Sequence, residues 1–204
     1  MFHIVTGILF TAGCYLIGSI PVAYILVKVI SGADIRSVGS GNVGATNAGR
    51  VLGKPGFVLV LILDTLKGFL PIFLSLKLCQ IYGFPRDIPL FCAMAVILGH
   101  AFPIYLGFSG GKGVAASLGV FIALAPIPVL GAASTFLLSV FFTRMVSVGS
   151  MLAAIVNAIM IFILYSKWQG LCVFATLVAL FVIYKHRGNI KRILAGTENK
   201  VFNK

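Results

Sequence analysis

Carboxylates are the scarcest chemistry in this chain. Only Asp34, Asp64, Asp87 and Glu198 carry one among 204 residues. Four scattered acids cannot assemble the oxygen cage of Mg²⁺ or a bridged pair of metals. Histidine occurs three times and cysteine four times (Cys14, Cys79, Cys92, Cys172), with no zinc spacing. At least three of the cysteines sit inside apolar runs and read as small packing residues. No Ser-His-Asp triad suggests itself, and no cysteine stands beside a base. Charge of either sign is thin: 10% of residues are charged, against about 25% in soluble domains.

What fills the chain instead is apolar. Sixty per cent of residues are hydrophobic and the mean hydropathy is +1.11. This is the balance of a lipid-embedded protein with one domain's worth of chain, residues 1–204. A net charge of +12 would suggest nucleic acid in a soluble protein. Here the basic residues stand between apolar runs, where they set orientation, face anionic membrane lipid or meet anionic substrates. Nucleic acid is not expected as a partner.

Apolar segments lie at about 4–27, 57–76, 89–106, 114–125, 129–142, 148–165 and 170–185. Ala125-Pro126-Ile127-Pro128 breaks a run too long for one crossing, which favours a tight hairpin there. The first run contains Gly18 and Pro21, continues to Ile30 and lacks a basic leader, so a cleaved signal peptide is not expected. The fold expected is an all-α polytopic transmembrane bundle of about seven spans. Seven spans place Lys28, Arg36, Arg50, Lys54, Lys112, Arg144, Lys185, Arg187, Lys191, Arg192, Lys200 and Lys204 on one face. The other face receives Lys77, Arg86 and Lys167, while Lys67 falls within a span. That bias predicts an outside N-terminus and a cytoplasmic C-terminus. Every glycine-rich or polar stretch falls on the same basic face.

Three stretches can carry chemistry. The first runs from Val38 to Arg50 and contains Gly39, Gly41 and Gly44 in a GxGxxG order. A dinucleotide fold is excluded, because no strand precedes it and no βαβ unit can surround it. Its physical content survives: glycines turn backbone N–H groups toward an anion, and a following helix N-terminus adds favourable potential. Ser40, Asn42, Thr46 and Asn47 add uncharged donors, and Arg50 offers a bidentate fork for phosphate.

The second stretch runs from Gly99-His100 to Gly110-Gly111-Lys112-Gly113. It is not a nucleotide P-loop, since the glycine five residues before Gly111 is missing and Gly113 stands where a Ser or Thr is required. A lysine between glycines still places an ammonium beside backbone donors, which suits a second phosphate. His100 fits a structural hydrogen bond or a site role equally. The third stretch joins Ser147 to the tail Lys185–Arg192 and Gly196-Thr197-Glu198. His186 and Asn189, three apart at a helix end, are expected to face the same way. Within the second span, Asp64 and Lys67 are i,i+3 neighbours. An isolated charge there costs about 2.5–3.5 kcal/mol on insertion scales, so a structural ion pair beneath the site is the favoured reading.

Together these motifs resemble the PlsY-type acyl-phosphate:glycerol-3-phosphate acyltransferases. The match rests on Gly39–Asn47 with Arg50, on Gly99-His100 through Phe102-Pro103 to Gly110–Gly113, and on Ser147 with His186-Arg187, Asn189 and Arg192. It spans positions 18 to 198. One departure is Ser109, where the family often has a basic residue. The H-x4-D pair of other acyltransferases is absent, since Ile8, Tyr105 and Lys191 follow the three histidines at that distance.

The resemblance implies a multi-pass enzyme of the bacterial cytoplasmic (inner) membrane, with its active site on the cytoplasmic face and no metal or cofactor. It would serve phospholipid biosynthesis. The primary hydroxyl of glycerol 3-phosphate attacks a long-chain acyl phosphate, giving lysophosphatidic acid and inorganic phosphate. Ser40, Asn42, Lys112, His186 and Asn189 are then the expected catalytic residues. Gly41, Gly44, Thr46, Asn47, Arg50, Gly110, Gly111, Ser147 and Arg192 are expected to bind substrate. The Ser40–Asn47 loop would cradle the acyl phosphate headgroup, and Lys112, Arg50, Ser147, His186 and Asn189 the glycerol 3-phosphate. The proton would pass to His186 or to a substrate phosphate oxygen, with the substrate favoured. A phosphate-solute transporter is the main rival, but the one-sided polar motifs and the lack of an internal repeat argue against it.

Overall fold

The computed structural model describes residues 2–201, so Lys204, counted above on the basic face, lies outside the described residues. Among those residues every regular element is helical. The chain divides into two compact units, residues 1–124 and 125–204.

In the first unit, α1 (Phe2–Ser19) stops before Ile20-Pro21 and α2 (Val22–Ser31) begins beyond it. Pro21 lacks an N–H and disfavours helical backbone before it. Gly32, left-handed at φ 72°, closes α2. The long α3 (Ala45–Tyr82) is two helical arms joined at Gly53, where φ 72° and ψ −169° suit glycine alone. Then come α4 (Ile88–Ala101), a 3₁₀ turn at Ile104–Leu106, and α5 (Val114–Leu124). Helices in lipid gain little from burying apolar surface against each other, so close backbone approach matters more. A Cβ on Gly18 would strike the Val96 backbone and one on Gly99 the Tyr15 backbone, so α1 and α4 meet through bare glycine. Gly68 against Ala116 and Gly119 against Thr65 do the same for α3 and α5.

The second unit holds α6 (Pro126–Thr143), α7 (Val146–Leu164), α8 (Gln169–Lys185) and α9 (Arg187–Leu194). The expected break is present: α5 ends at Leu124 and Pro126 opens α6. Gly131 against Met160 and Gly149 against Phe136 bring α6 and α7 together. One expectation needs correction. His186 and Asn189 do not share one continuous helix, because α8 and α9 meet at a 55° bend with His186 at the corner.

Phe141 and Phe142 are 76% and 77% exposed, and many other large apolar side chains also face outward. Such a surface fits lipid rather than water. Among the described residues, five helical stretches are long and apolar enough to cross a membrane, or six if α8 and α9 form one bent span. The apolar segment that falls short is α5: eleven residues reach only about 16 Å at 1.5 Å each.

Candidate active site

The first glycine-rich loop links α2 to α3. Gly39 (φ 59°) and Gly41 (φ 68°) are left-handed, which turns successive amides the same way. Asn47, 1% exposed, holds this shape from the first turn of α3. Its Nδ2 donates to the Ile35 and Val38 carbonyls at 3.0 Å each, and its Oδ1 accepts the Ser40 N–H at 3.0 Å. Gly44 caps the helix in extended backbone. The N-terminus of α3 therefore opens beside the turned amides, with its positive dipole end toward the loop. Among the described residues, Asn42, Thr46 and Arg50 have side chains that make no bond within the chain, and Arg50 is exposed. Arg36, by contrast, is committed: it grips Asp34 at 2.6 Å and lies 5.2 Å from the Tyr24 ring centre. The hydrogen-bonded Arg36 guanidinium lowers the Asp34 carboxyl to about 2.

The second loop folds back on the end of α4. The Gly111 N–H donates to the His100 carbonyl at 3.1 Å. Gly110 leaves no space for a Cβ against His100 and Pro103, nor does Gly111 against the His100 ring. A Cβ on Gly111 would also lie 2.8 Å from the Val43 carbonyl oxygen. Val43 belongs to the first loop, so the fold sets the two loops side by side. Lys112 follows directly, partly buried. Beneath them, Lys67 Nζ lies 2.8 Å from Asp64 Oδ1, which is 3.6 Å from His100 Nδ1. Lys67 also donates to the Ile20 carbonyl at 2.7 Å, at the break between α1 and α2. A small cavity adjoins this cluster, lined in part by Ser19, Val43, Pro103 and Gly110. The Ser19 hydroxyl is buried without a partner in the chain.

In the second unit a carboxylate organises the remaining polar residues. Glu198 accepts from Ser147 Oγ at 2.8 Å, Asn189 Nδ2 at 2.6 Å and Arg192 Nε at 2.8 Å. Burial pushes its carboxyl up, but the hydrogen bonds from Asn189, Ser147 and Arg192 outweigh that and hold it below the usual glutamate range. The Val201 N–H donates to the Arg144 carbonyl at 2.7 Å, so the tail is tied at both ends of its reach. His186 Nδ1 lies 2.8 Å from the Val182 carbonyl oxygen. A carbonyl only accepts, so Nδ1 carries the proton and Nε2 of the neutral ring is the basic atom.

The fold thus gathers Ser40, Gly41, Asn42, Gly44, Thr46, Asn47, Arg50, Gly110, Gly111 and Lys112 around paired loops in one unit. It gathers Ser147, Asn189 and Arg192 around Glu198 in the other. Sequence reasoning named Glu198 in the tail but gave it no role, although its position as the sole acid of a basic tail was a signal. It also missed the inward turn of Asn47, which no pattern of neighbours announces. Among the described residues no three His, Cys, Asp or Glu lie close enough to hold a metal ion.

Helical spans, paired glycine-rich loops and few acids define a multi-pass membrane protein. A model of the glycerol-3-phosphate acyltransferase family matches residues 8–196. A glycerol-3-phosphate acyltransferase of Trichlorobacter lovleyi is 45% identical over 95% of this chain and 97% of its own. That of Geobacter sulfurreducens is 44% identical over 95% and 96%. The crystal structure of PlsY, an integral membrane glycerol 3-phosphate acyltransferase in its glycerol 3-phosphate form, superposes with a TM-score of 0.89. Its identity is 38%, over 96% of this chain and 95% of that one. The chain belongs to the glycerol-3-phosphate acyltransferase family.

Proposed function

We propose that this chain is a glycerol-3-phosphate acyltransferase that takes its long-chain acyl group from acyl phosphate. It acts as a single domain of seven spans in the bacterial inner membrane, N-terminus outside and loops at the cytoplasmic face. The observation that carries the reading is the pairing of two glycine-rich loops in contact at Val43 and Gly111, each suited to one phosphate. Both substrates of this reaction bear one.

The hydroxyl oxygen of glycerol 3-phosphate attacks the acyl carbonyl, and the carbon–oxygen bond to phosphate breaks. Lysophosphatidic acid and inorganic phosphate result. Phosphate leaves readily, so no covalent enzyme intermediate is needed, and rate comes from positioning and from charge stabilisation. Amides of the Ser40–Asn47 loop and the side chains of Asn42 and Thr46 receive the acyl phosphate headgroup. Lys112 and Arg50 neutralise phosphate. The proton passes to a substrate phosphate oxygen, with His186 Nε2 as the alternative acceptor that its hydrogen bond to Val182 supports.

The test offers labelled glycerol 3-phosphate and palmitoyl phosphate, palmitoyl-CoA or palmitoyl-acyl carrier protein to detergent-purified protein in EDTA. The expected result is lysophosphatidic acid from the acyl phosphate alone, falling at least 100-fold in Lys112→Ala, by analogy with lost electrostatic donors at about 10²–10³. Product from the thioesters alone would overturn the donor. No product from folded protein with any donor would overturn the enzyme.

A further inference from the structure

We infer that the buried Asp64–Lys67–His100 cluster is a positioning device, in which the His100 ring sets the glycine loop that carries Lys112 at its working distance from the first loop. The inference rests on the reading that both loops receive substrate phosphate. Ionic side chains inside spanning helices are rare and recur where they serve a site. This cluster joins three parts of its unit. Lys67 bridges Asp64 to the Ile20 carbonyl where α1 breaks from α2. Asp64 faces His100 Nδ1 at 3.6 Å. The other edge of that ring, Nε2, packs against Gly111 so closely that a Cβ has no room.

His100 is 6% exposed and holds Gly111 twice. Its carbonyl takes the Gly111 N–H at 3.1 Å, and its ring forms the floor beneath the same residue. On that same side Gly111 meets the Val43 carbonyl, so the ring edge and the first loop both border the place a Cβ would take. The result is a chain of close contacts from Asp64 through the imidazole to Gly111, with Val43 beside the ring edge. With Gly111 held at its N–H and along the ring edge, the loop spacing follows the ring, and the ring follows Asp64. His100 is a positioning residue on this account, since its ring reaches substrate only through the loop.

The test compares His100→Ala, His100→Asn and His100→Gln in the full chain, purified in detergent. An asparagine amide can replace the Nδ1 side toward Asp64 but stops short of the loop. A glutamine amide extends to where Nε2 meets Gly111. The expected result is a KM for both acyl phosphate and glycerol 3-phosphate raised about 10- to 100-fold in the Ala and Asn variants, with kcat within about 3-fold. The Gln variant should restore KM to within about 3-fold. A fall in kcat at unchanged KM, equal behaviour of Asn and Gln, or loss of the folded species in all three would overturn the inference. If the wild type makes no product, the functional reading falls by itself. Amide hydrogen exchange at residues 110–113 then reports the ring's hold directly. Faster exchange in the Ala and Asn variants than in the Gln variant supports it, and uniform exchange refutes it.

Discussion

Removing the Asn47 side chain amide should loosen the first loop without unfolding the protein. Asn47→Ala deletes three hydrogen bonds, to Ile35, Val38 and Ser40. The bond to the Ile35 carbonyl is buried, so its orphaned oxygen costs about 1–3 kcal/mol. The Val38 and Ser40 groups lie where water can replace the amide, at about 0.5 kcal/mol each. The sum is about 2–4 kcal/mol, which lowers the closed-to-open ratio of the loop by roughly 30- to 700-fold at 1.4 kcal/mol per decade. The bilayer-crossing arm of α3 lies beyond Gly53 and loses nothing. Amide exchange in residues 35–44 should therefore accelerate strongly, and KM for acyl phosphate should rise, while the melting temperature in detergent moves little. Asn47→Asp should be at least as damaging, because it points a carboxylate oxygen at the two carbonyls. Unchanged exchange in this loop would refute the reasoning. Unchanged exchange with a raised KM would instead make Asn47 a direct substrate contact.

Gly119→Ala should lower the melting temperature by several degrees, because its Cβ meets the Thr65 carbonyl at the α3–α5 crossing. Gly13→Ala, with open space around it, should be neutral or slightly stabilising through helix propensity; equal effects of the two would sink the packing argument. Glu198→Gln should release the tail, seen as faster proteolysis beyond Ala195, since a neutral amide cannot accept from Ser147, Asn189 and Arg192 together. The pH course has a fixed sign. A carboxyl held below its usual range contributes fully above the ordinary glutamate value of about 4.3, and the contribution fades only as pH falls through the lower folded value. Tail release beginning near neutral pH would contradict it.

What the sequence discloses is local. Apolar runs, the Pro126 break and the glycine clusters all act within a few residues of themselves, so the helical fold and both loops could be read directly. Contacts across the chain could not. Glu198 meets Ser147 from 51 positions away, and nothing in either neighbourhood marks the pair. Asp64 and Lys67 are legible as i,i+3 partners, but His100 joins them only because α3 and α4 pack side by side. An amide reads alike whether it turns outward to a ligand or inward to its own loop, which hid the structural work of Asn47. His186 and Asn189 fit one helical face on paper, yet the chain bends between them. The count of spans stays open to length alone, because α5 is short for a crossing.

The junction at Gly53 also limits how this chain can change length. One helix, α3, carries the cradle's Asn47 on its first arm and both Asp64 and Lys67 on its second. A single inserted residue between the junction and Asp64 would rotate that pair by about 100° around the helix axis. Both charges would swing away from His100 and the Ile20 carbonyl, their present partners. Gly68, which α3 sets against Ala116 of α5, would turn with them. Between these two arms the ruler therefore has a fixed number of marks.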